Sequence, residues 1–248
     1  MDTTKIEKNG KIFMIAYDQG LEHGPTDFNG FNYHPNFIFK IALESGASCV
    51  AMHYGLAKSS YVKSIQPLMP LILKVNGKSK LYSGNTRSAL TGTIQNALDL
   101  NAVGIGFTIF PGEKDEAILF EQFVKLRNEA EKEGLITILW SYARGPEIQN
   151  QYSTEVVAYA ARIAAELGAD VAKIKYTGDP ESFKWAVKSA VNTKVIASGT
   201  DNFEGNYLEK INDMLSSGAK GLAVGRRVWQ DADPINLAKQ IAAKIYNY

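Results

Sequence analysis

The stretch Val171–Pro180 reads V-A-K-I-K-Y-T-G-D-P, and the rest of the chain is interpreted outward from it. Side chains alternate across a β-strand, so Lys173 and Lys175 would share one face of a short strand. A surface strand would place both lysines in solvent. The helical segment before the stretch and its apolar flank instead indicate a parallel strand covered by helices, with both faces buried. Burial lowers the pKa of an amine, and a neutral amine can attack a carbonyl group.

Eight runs of β type can be counted along the chain, most of them followed by a polar or glycine-containing turn and a helical pattern. Their average spacing is about thirty residues, the size of a βα unit. The alternation predicts a single-domain (β/α)8 TIM barrel over residues 1–248. The first run lacks the G-x-G-x-x-G turn that an open dinucleotide-binding sheet would carry. The predicted strands are Ile12–Tyr17, Cys49–His53, Leu71–Val75, Val103–Thr108, Ile136–Ser141, Val171–Lys175, Lys194–Ala197 and Gly221–Val224. The predicted helices are Asn36–Ser45, Thr91–Leu100, Asp115–Glu133, Thr154–Leu167, Pro180–Ala190, Tyr207–Ser216 and Pro234–Tyr246.

Composition narrows the class of protein. Formal net charge is +1, which gives no general electrostatic case for nucleic acid or an anionic membrane as partner. The single cysteine, Cys49, cannot support a disulfide framework. No apolar run reaches the length of a membrane span and the first residues lack a signal-peptide pattern, so we expect a cytoplasmic protein. His23, His34 and His53 lack the spacing of a metal site, so no catalytic metal is expected.

In a barrel of this kind, chemistry occurs at the C-terminal ends of the strands. The loops after the last two strands often hold phosphate, and Ser198, Gly199, Gly225 and Arg226 fit such a site. The alternative to a phosphate site is that the glycines only make turns and that Arg226 lies in solvent.

Four other residues lie at strand ends, and most of them have two possible roles. Tyr142 could transfer a proton beside the lysine pair, although most tyrosines only pack. Trp140 shares its strand face. Asp18 could orient an amine or simply make a turn. Arg144 could meet a second anion or lie in solvent.

With these residues in hand, the chain resembles the archaeal-type class I fructose-bisphosphate aldolases over nearly its whole length. The motifs that carry the resemblance are D-Q-G-L-E-H-G-P at 18–25, W-S-Y-x-R-G at 140–145, K-x-K-Y-T-G-D-P at 173–180 and A-V-G-R at 223–226. The resemblance implies Schiff-base cleavage of fructose 1,6-bisphosphate by a homo-oligomeric enzyme that needs no metal or other cofactor. Its substrates would be phosphorylated ketoses and trioses.

The resemblance also implies roles for individual residues. Lys173 would form the covalent imine, Tyr142 would transfer protons, and Asp18 would assist. We expect Lys175 to help Lys173 by lowering its pKa. The remaining positions would bind substrate: Trp140, Arg144, Lys175, His23, Ser198, Gly199, Gly225 and Arg226.

One departure from the family pattern falls in the predicted phosphate loop. The family usually reads Ser-Gly-Gly-Pro-Lys, whereas this chain continues Ser198-Gly199-Thr200-Asp201-Asn202. Thr200 removes a glycine and Asp201 adds a negative charge, which predicts weaker phosphate binding. A contact from the Thr200 hydroxyl, or compensation by Arg227, would have the opposite effect.

Two other functions remain open at the level of sequence. One is a related Schiff-base aldolase or transaldolase-like enzyme acting on another phosphorylated ketose, such as the aldolase-like enzyme of archaeal aromatic amino-acid synthesis. The other is a non-catalytic sugar-phosphate-binding barrel, in which Lys173 only neutralises phosphate. Trapping of an imine by borohydride would separate an enzyme from a binding protein.

Overall fold

A computed structural model describes residues 1–61, 65–81, 84, 87–199 and 206–248. Within these residues, eight parallel strands close a barrel, which confirms the predicted (β/α)8 architecture. Each lies within one residue of its predicted bounds: β1 (Ile12–Tyr17), β2 (Cys49–His53), β3 (Leu71–Lys74), β6 (Gly104–Ile109), β7 (Ile136–Ser141), β8 (Val171–Ile174), β9 (Lys194–Ser198) and β10 (Gly221–Val224). The order around the barrel is β1-β10-β9-β8-β7-β6-β3-β2.

Helices follow most of the strands. All seven predicted helices are present: α2 (Pro35–Ser45), α4 (Ile94–Asp99), α5 (Glu116–Lys132), α6 (Thr154–Glu166), α7 (Pro180–Ser189), α8 (Tyr207–Ser216) and α10 (Pro234–Tyr246). The sequence did not predict α1 (Gly20–His23), α3 (Tyr54–Ser60), α9 (Arg226–Trp229), two 3-10 turns (Thr4–Ile6, Pro25–Asp27) or a small antiparallel ribbon of β4 (Asn76–Gly77) and β5 (Ala89–Leu90).

Helix α4 begins three residues later than predicted because of the ribbon. The backbone N–H groups of Thr91 and Gly92 both donate to the carbonyl of Val75, at 2.8 and 3.2 Å, which holds this segment extended. Thr93 then caps the helix in a reciprocal capping box with Asn96. The cap at Thr93 therefore sets the start of the helix, although the sequence pattern predicts a start at Thr91.

The alternation of side chains along the strands separates two apolar layers. On β8, Ala172 and Ile174 pack outward against the helices, whereas Val171 belongs to the core inside the barrel. Lys173, two residues after Val171, therefore points inward above that core. The two-residue period predicted this division, with both faces of the strand buried.

Trp140 on β7 is the largest side chain of the inner layer. Its backbone pairs in register with Lys173, so indole and lysine lie side by side inside the barrel. Gly106 on β6 makes room for it, because a Cβ at that position would overlap the indole ring. Gly106 thus sets the position of the ring that lies beside Lys173.

We therefore expect Gly106→Ala to destabilise the barrel by about 1–3 kcal/mol, as overpacking of a filled core does. For a domain of this size, that corresponds to a fall in Tm of roughly 2–4 °C per kcal/mol. Gly55→Ala is the matched control, since no heavy atom lies within 4 Å of its added Cβ and the site is helical. Thermal unfolding followed by circular dichroism measures both. Equal midpoints for the two variants would contradict this packing argument.

Among the helices in the described part of the chain, none is long and apolar enough to cross a membrane.

Candidate active site

A cavity of about 290 Å³ opens at the C-terminal ends of the barrel strands. Residues from many separate segments line it, as expected when the ends of parallel strands meet at one rim. All the predicted site residues are among them: Asp18, His23, Trp140, Tyr142, Arg144, Lys173, Lys175, Ser198, Gly199, Gly225 and Arg226. The structure therefore brings together side chains that lie up to about two hundred residues apart in the sequence.

Lys173 lies at the floor of this cavity and is only 4% exposed. Its Nζ faces aromatic rings, 4.9 Å from the ring centroid of Trp140 and 5.9 Å from that of Tyr142. Burial lowers the pKa of Lys173 to about 8, and the nearby Asp18 carboxylate opposes that shift. Roughly a tenth of this amine is therefore neutral at pH 7, far more than for a free lysine.

Lys175 occupies a different environment from Lys173. Its Nζ lies 3.4 Å from the hydroxyl of Tyr152 and 5.4 Å from the ring centroid of Tyr142. Burial and Asp18 account for the pKa of Lys173, so the expected contribution of Lys175 to that shift is not supported. Lys175 sits nearer the mouth, where its ammonium contacts tyrosines.

Tyr142 lies between the two lysines. Burial, followed by the Asp18 carboxylate, raises the pKa of its phenol well above the usual value, while a hydrogen bond with the Ser198 side chain and the Arg144 charge act in the other direction. The phenol is therefore protonated across the physiological range and is available as a proton donor. Such a group can become a base only after it has given up its proton.

Arg144 and Arg226 reach the rim from different sides, and each is held by neighbours. The Arg144 guanidinium lies 3.8 Å from the ring centroid of Phe110, with Nη1 3.4 Å from Glu22 Oε1. Nη1 of Arg226 lies 3.3 Å from His23 Nδ1 and 3.5 Å from Asp27 Oδ2.

His23 joins this network through Asp27, at 3.4 Å. Burial lowers the pKa of His23, and the charges of Lys80 and Arg226 add to the shift. The rim therefore presents ordered cations beside a histidine whose neutral form is favoured.

Part of the predicted phosphate site is already hydrogen-bonded within the barrel. The Gly199 N–H donates to the carbonyl of Ala223 at 2.7 Å, so this residue offers close approach rather than a free donor. Gly225 precedes α9, and a Cβ there would overlap the Gln19 amide. Thr200, Asp201 and Asn202, the departure from the family pattern, lie outside the described residues.

The sequence reasoning did not assign roles to several residues that line the same cavity, above all Lys74. This lysine ends β3, is 3% exposed, and donates through Nζ to the backbone and side-chain oxygens of Asn76. Burial lowers its pKa to about 8, against the opposing charges of Asp18 and Glu22. The signal was present, since the run L-I-L-K at 71–74 ends an apolar strand with a lysine.

Two further groups complete the cavity. His53 ends β2, and burial lowers its pKa to about 4; its Nδ1 lies 3.2 Å from Thr91 Oγ1. The buried indole N–H of Trp140 has no hydrogen-bond partner among the described residues, so it can donate to a bound ligand. Nowhere in the described ranges do three His, Cys, Asp or Glu side chains cluster so that they could hold a metal ion.

Fold and site together define a (β/α)8 barrel with a buried, partly neutral lysine in position to attack a carbonyl group. Comparison with known families gives the same class. The model of the DeoC/LacD family aldolases matches residues 12–231, and the chain belongs to this family.

Curated relatives and solved structures agree with this assignment. The chain is 42% identical to the "Fructose-bisphosphate aldolase class 1" of Thermoproteus tenax, covering 96% of this chain and 91% of that protein. It is 36% identical to the enzyme of the same name from Halobacterium salinarum, covering 99% and 94%. A solved archaeal fructose-1,6-bisphosphate aldolase, with its catalytic lysine bound covalently to the carbinolamine intermediate of the substrate, is 40% identical; the match has a TM-score of 0.93 and covers 98% of this chain and 97% of that one.

Proposed function

We propose that this chain is a class 1 fructose-bisphosphate aldolase, which reversibly cleaves fructose 1,6-bisphosphate to dihydroxyacetone phosphate and glyceraldehyde 3-phosphate. The observation that carries the proposal is Lys173, a buried lysine with a pKa of about 8 on the floor of the cavity. Membership of an aldolase family and the names of relatives above 30% identity support it.

The reaction begins with the neutral amine of Lys173. It attacks the ketone carbon of the substrate, and loss of water from the resulting carbinolamine leaves a protonated imine. The imine withdraws electrons from the neighbouring carbon–carbon bond, which is the task that a metal ion performs in other aldolases. Trp140 packs beside the amine and confines it to the floor of the cavity.

Tyr142 completes the proton transfers. Its protonated phenol gives a proton to the carbinolamine hydroxyl, which leaves as water, and the iminium charge then stabilises the phenolate. The phenolate takes the proton from the hydroxyl of the carbon that becomes the aldehyde, as the carbon–carbon bond breaks. The raised pKa of Tyr142 keeps the phenol protonated until the carbinolamine forms and makes the phenolate a strong base, while the new iminium charge offsets the cost of giving up the proton. Asp18, whose charge acts on both Lys173 and Tyr142, assists these transfers.

The substrate carries a phosphate at each end, and the cavity is rich in cations. Arg144 on one side and Arg226 on the other anchor the two phosphates, with Lys175 near the mouth. Ser198, Gly199 and Gly225 allow a phosphate to approach the backbone, and His23 supports Arg226. Anchoring both ends holds the reacting carbons beside Lys173 instead of leaving them to search for it.

The direct test is cleavage of fructose 1,6-bisphosphate by the purified protein, with triose phosphate release coupled to a dehydrogenase. A chelator in large excess should leave the rate unchanged, because the imine supplies the electron sink. Absence of cleavage would overturn the proposed function. Loss of cleavage with chelator, followed by recovery with a divalent metal, would overturn the mechanism.

The pKa of Lys173 predicts the pH dependence of imine formation. Only the neutral amine attacks, so the rate of trapping dihydroxyacetone phosphate with cyanoborohydride should rise about tenfold per pH unit below the pKa and level off above about pH 8. A lysine with the usual pKa would instead show a rise that continues beyond pH 9. Lys173→Ala protein provides the blank, and a flat profile between pH 6 and 9 would contradict the assignment.

A cytoplasmic location and a homo-oligomeric state remain predictions. Light scattering coupled to size-exclusion chromatography measures the second directly.

A further inference from the structure

Lys74 is a second lysine buried in the cavity. It ends β3, and in the barrel order β7 and β6 lie between its strand and β8, which carries Lys173. The two lysines therefore approach from well-separated parts of the wall, and a ligand joined to Lys173 would extend between them. Trp140 contacts both, with Nζ of Lys74 5.8 Å and Nζ of Lys173 4.9 Å from its ring centroid.

The Lys74 ammonium is held in place by Asn76, which follows it just after the end of β3. It donates to the backbone and side-chain oxygens of Asn76. Asn76 is itself fixed to β6, since its Nδ2 donates to the Thr108 carbonyl at 2.8 Å and its Oδ1 accepts from the Thr108 N–H at 2.7 Å. An ammonium carries three donors, and in the described part of the chain two of them go to Asn76, which leaves one N–H for the cavity that Lys74 lines.

Burial lowers the pKa of both lysines to about 8, and the Asp18 carboxylate opposes the shift in both, so their contacts distinguish them. Nζ of Lys74 donates to two oxygens of Asn76, which stabilises its protonated form, whereas Nζ of Lys173 faces the rings of Trp140 and Tyr142. Burying an ammonium is costly unless it is paired or used. The arrangement therefore assigns different tasks to the two lysines: one is held as a charged donor, and the other is left as a nucleophile.

On the basis of the proposed function, we propose that Lys74 is a further catalytic residue, whose free N–H donates to the substrate oxygen that becomes the aldehyde carbonyl. In the cleavage step the O–H bonding pair becomes the new C=O bond, and the proton passes to the Tyr142 phenolate. The pair of the breaking carbon–carbon bond forms the enamine double bond, and the imine nitrogen accepts the electrons. Lys74 keeps its proton and stabilises the negative charge that develops on the oxygen, as a preorganised donor does.

The test separates cleavage from imine formation. Lys74→Met should lower kcat for fructose 1,6-bisphosphate about 10²- to 10³-fold, the usual effect of removing one such donor. Dihydroxyacetone phosphate lacks the oxygen in question. The rate at which borohydride traps it on Lys173 should therefore stay within about threefold of the wild-type rate. The rate of deuterium exchange into the carbon beside its carbonyl should do the same. A threefold change corresponds to less than about 1 kcal/mol in activation free energy. Lys58→Met, the same change at an exposed lysine on α3, is the control.

Each other result contradicts the proposal. Cleavage by Lys74→Met at the wild-type rate shows that the ammonium is dispensable. An equal fall in cleavage, trapping and exchange shows that Lys74 supports the shape of the site rather than the bond-breaking step. Should Lys74→Met fail to fold, Lys74→Gln carries the same test, since it keeps a donor to Asn76 without the charge. Absence of cleavage in the wild-type protein would instead refute the proposed function.

Discussion

Replacement of Lys173 by alanine should abolish imine formation and lower fructose 1,6-bisphosphate cleavage by roughly 10⁴- to 10⁶-fold, the range seen when an enzyme loses its nucleophile. The reason is chemical, because Nζ of Lys173 lies against the rings of both Trp140 and Tyr142. The remaining cations still bind phosphate, so substrate affinity should fall far less than turnover. Steady-state kinetics and equilibrium binding of the bisphosphate measure the two effects.

Lys175→Ala is the matched variant. Its side chain belongs to the same segment, but its Nζ lies near Tyr152 and away from the floor. This variant should bind substrate more weakly and still form the imine. Thermal unfolding checks that both variants fold, and appreciable cleavage by Lys173→Ala would show that the nucleophile is another residue.

Removal of the Tyr142 hydroxyl should have the next largest effect. Tyr142→Phe keeps the ring beside the lysines but removes the group that both donates and accepts the proton, so kcat should fall about 10²- to 10⁴-fold, as expected for loss of a general acid and base. The dissociation constant of the bisphosphate should change little, because the phosphate anchors are elsewhere. Dehydration of the carbinolamine should become slow, and rapid-quench mass spectrometry should detect that adduct accumulating.

Ser198→Ala provides a comparison for this variant. The Ser198 side chain hydrogen-bonds to Tyr142 and lowers the pKa of its phenol in part. Its loss should therefore give a smaller fall in kcat than the loss of the phenol itself. Full activity in Tyr142→Phe would assign the proton transfers to Asp18 or to water.

The strands and the burial of the β8 lysine were predictable because their signals are local. Short apolar β-runs follow glycines such as Gly46 and Gly168, which adopt left-handed conformations at φ 76° and 77° and end the helices. The two-residue period of β8 placed Lys173 and Lys175 on one face, which is the inward face at Lys173, and the resemblance to class I aldolases favoured Lys173 of the two. These features depend on neighbours in sequence, so one chain suffices to find them.

The features that the sequence did not reveal depend on register and on distant partners. Lys74 carries the same strand-end signal as Lys173, but only the closed barrel shows its Nζ near the Trp140 ring. His53 forms a hydrogen bond with Thr91, which lies 38 residues away in the sequence. The hydrogen bond from the Gly199 N–H to the Ala223 carbonyl likewise follows from the pairing of β9 with β10, which no local sequence pattern specifies.

Trapping with borohydride and dihydroxyacetone phosphate, followed by fragmentation mass spectrometry of the labelled peptide, tests the central claim most directly. We predict a single reduced adduct on Lys173, resolved by fragmentation from Lys175 in the same region of the chain. An adduct on Lys175 or Lys74 would show that Lys173 is not the nucleophile. Absence of any adduct, with the phosphate ligand still bound, would contradict imine chemistry altogether.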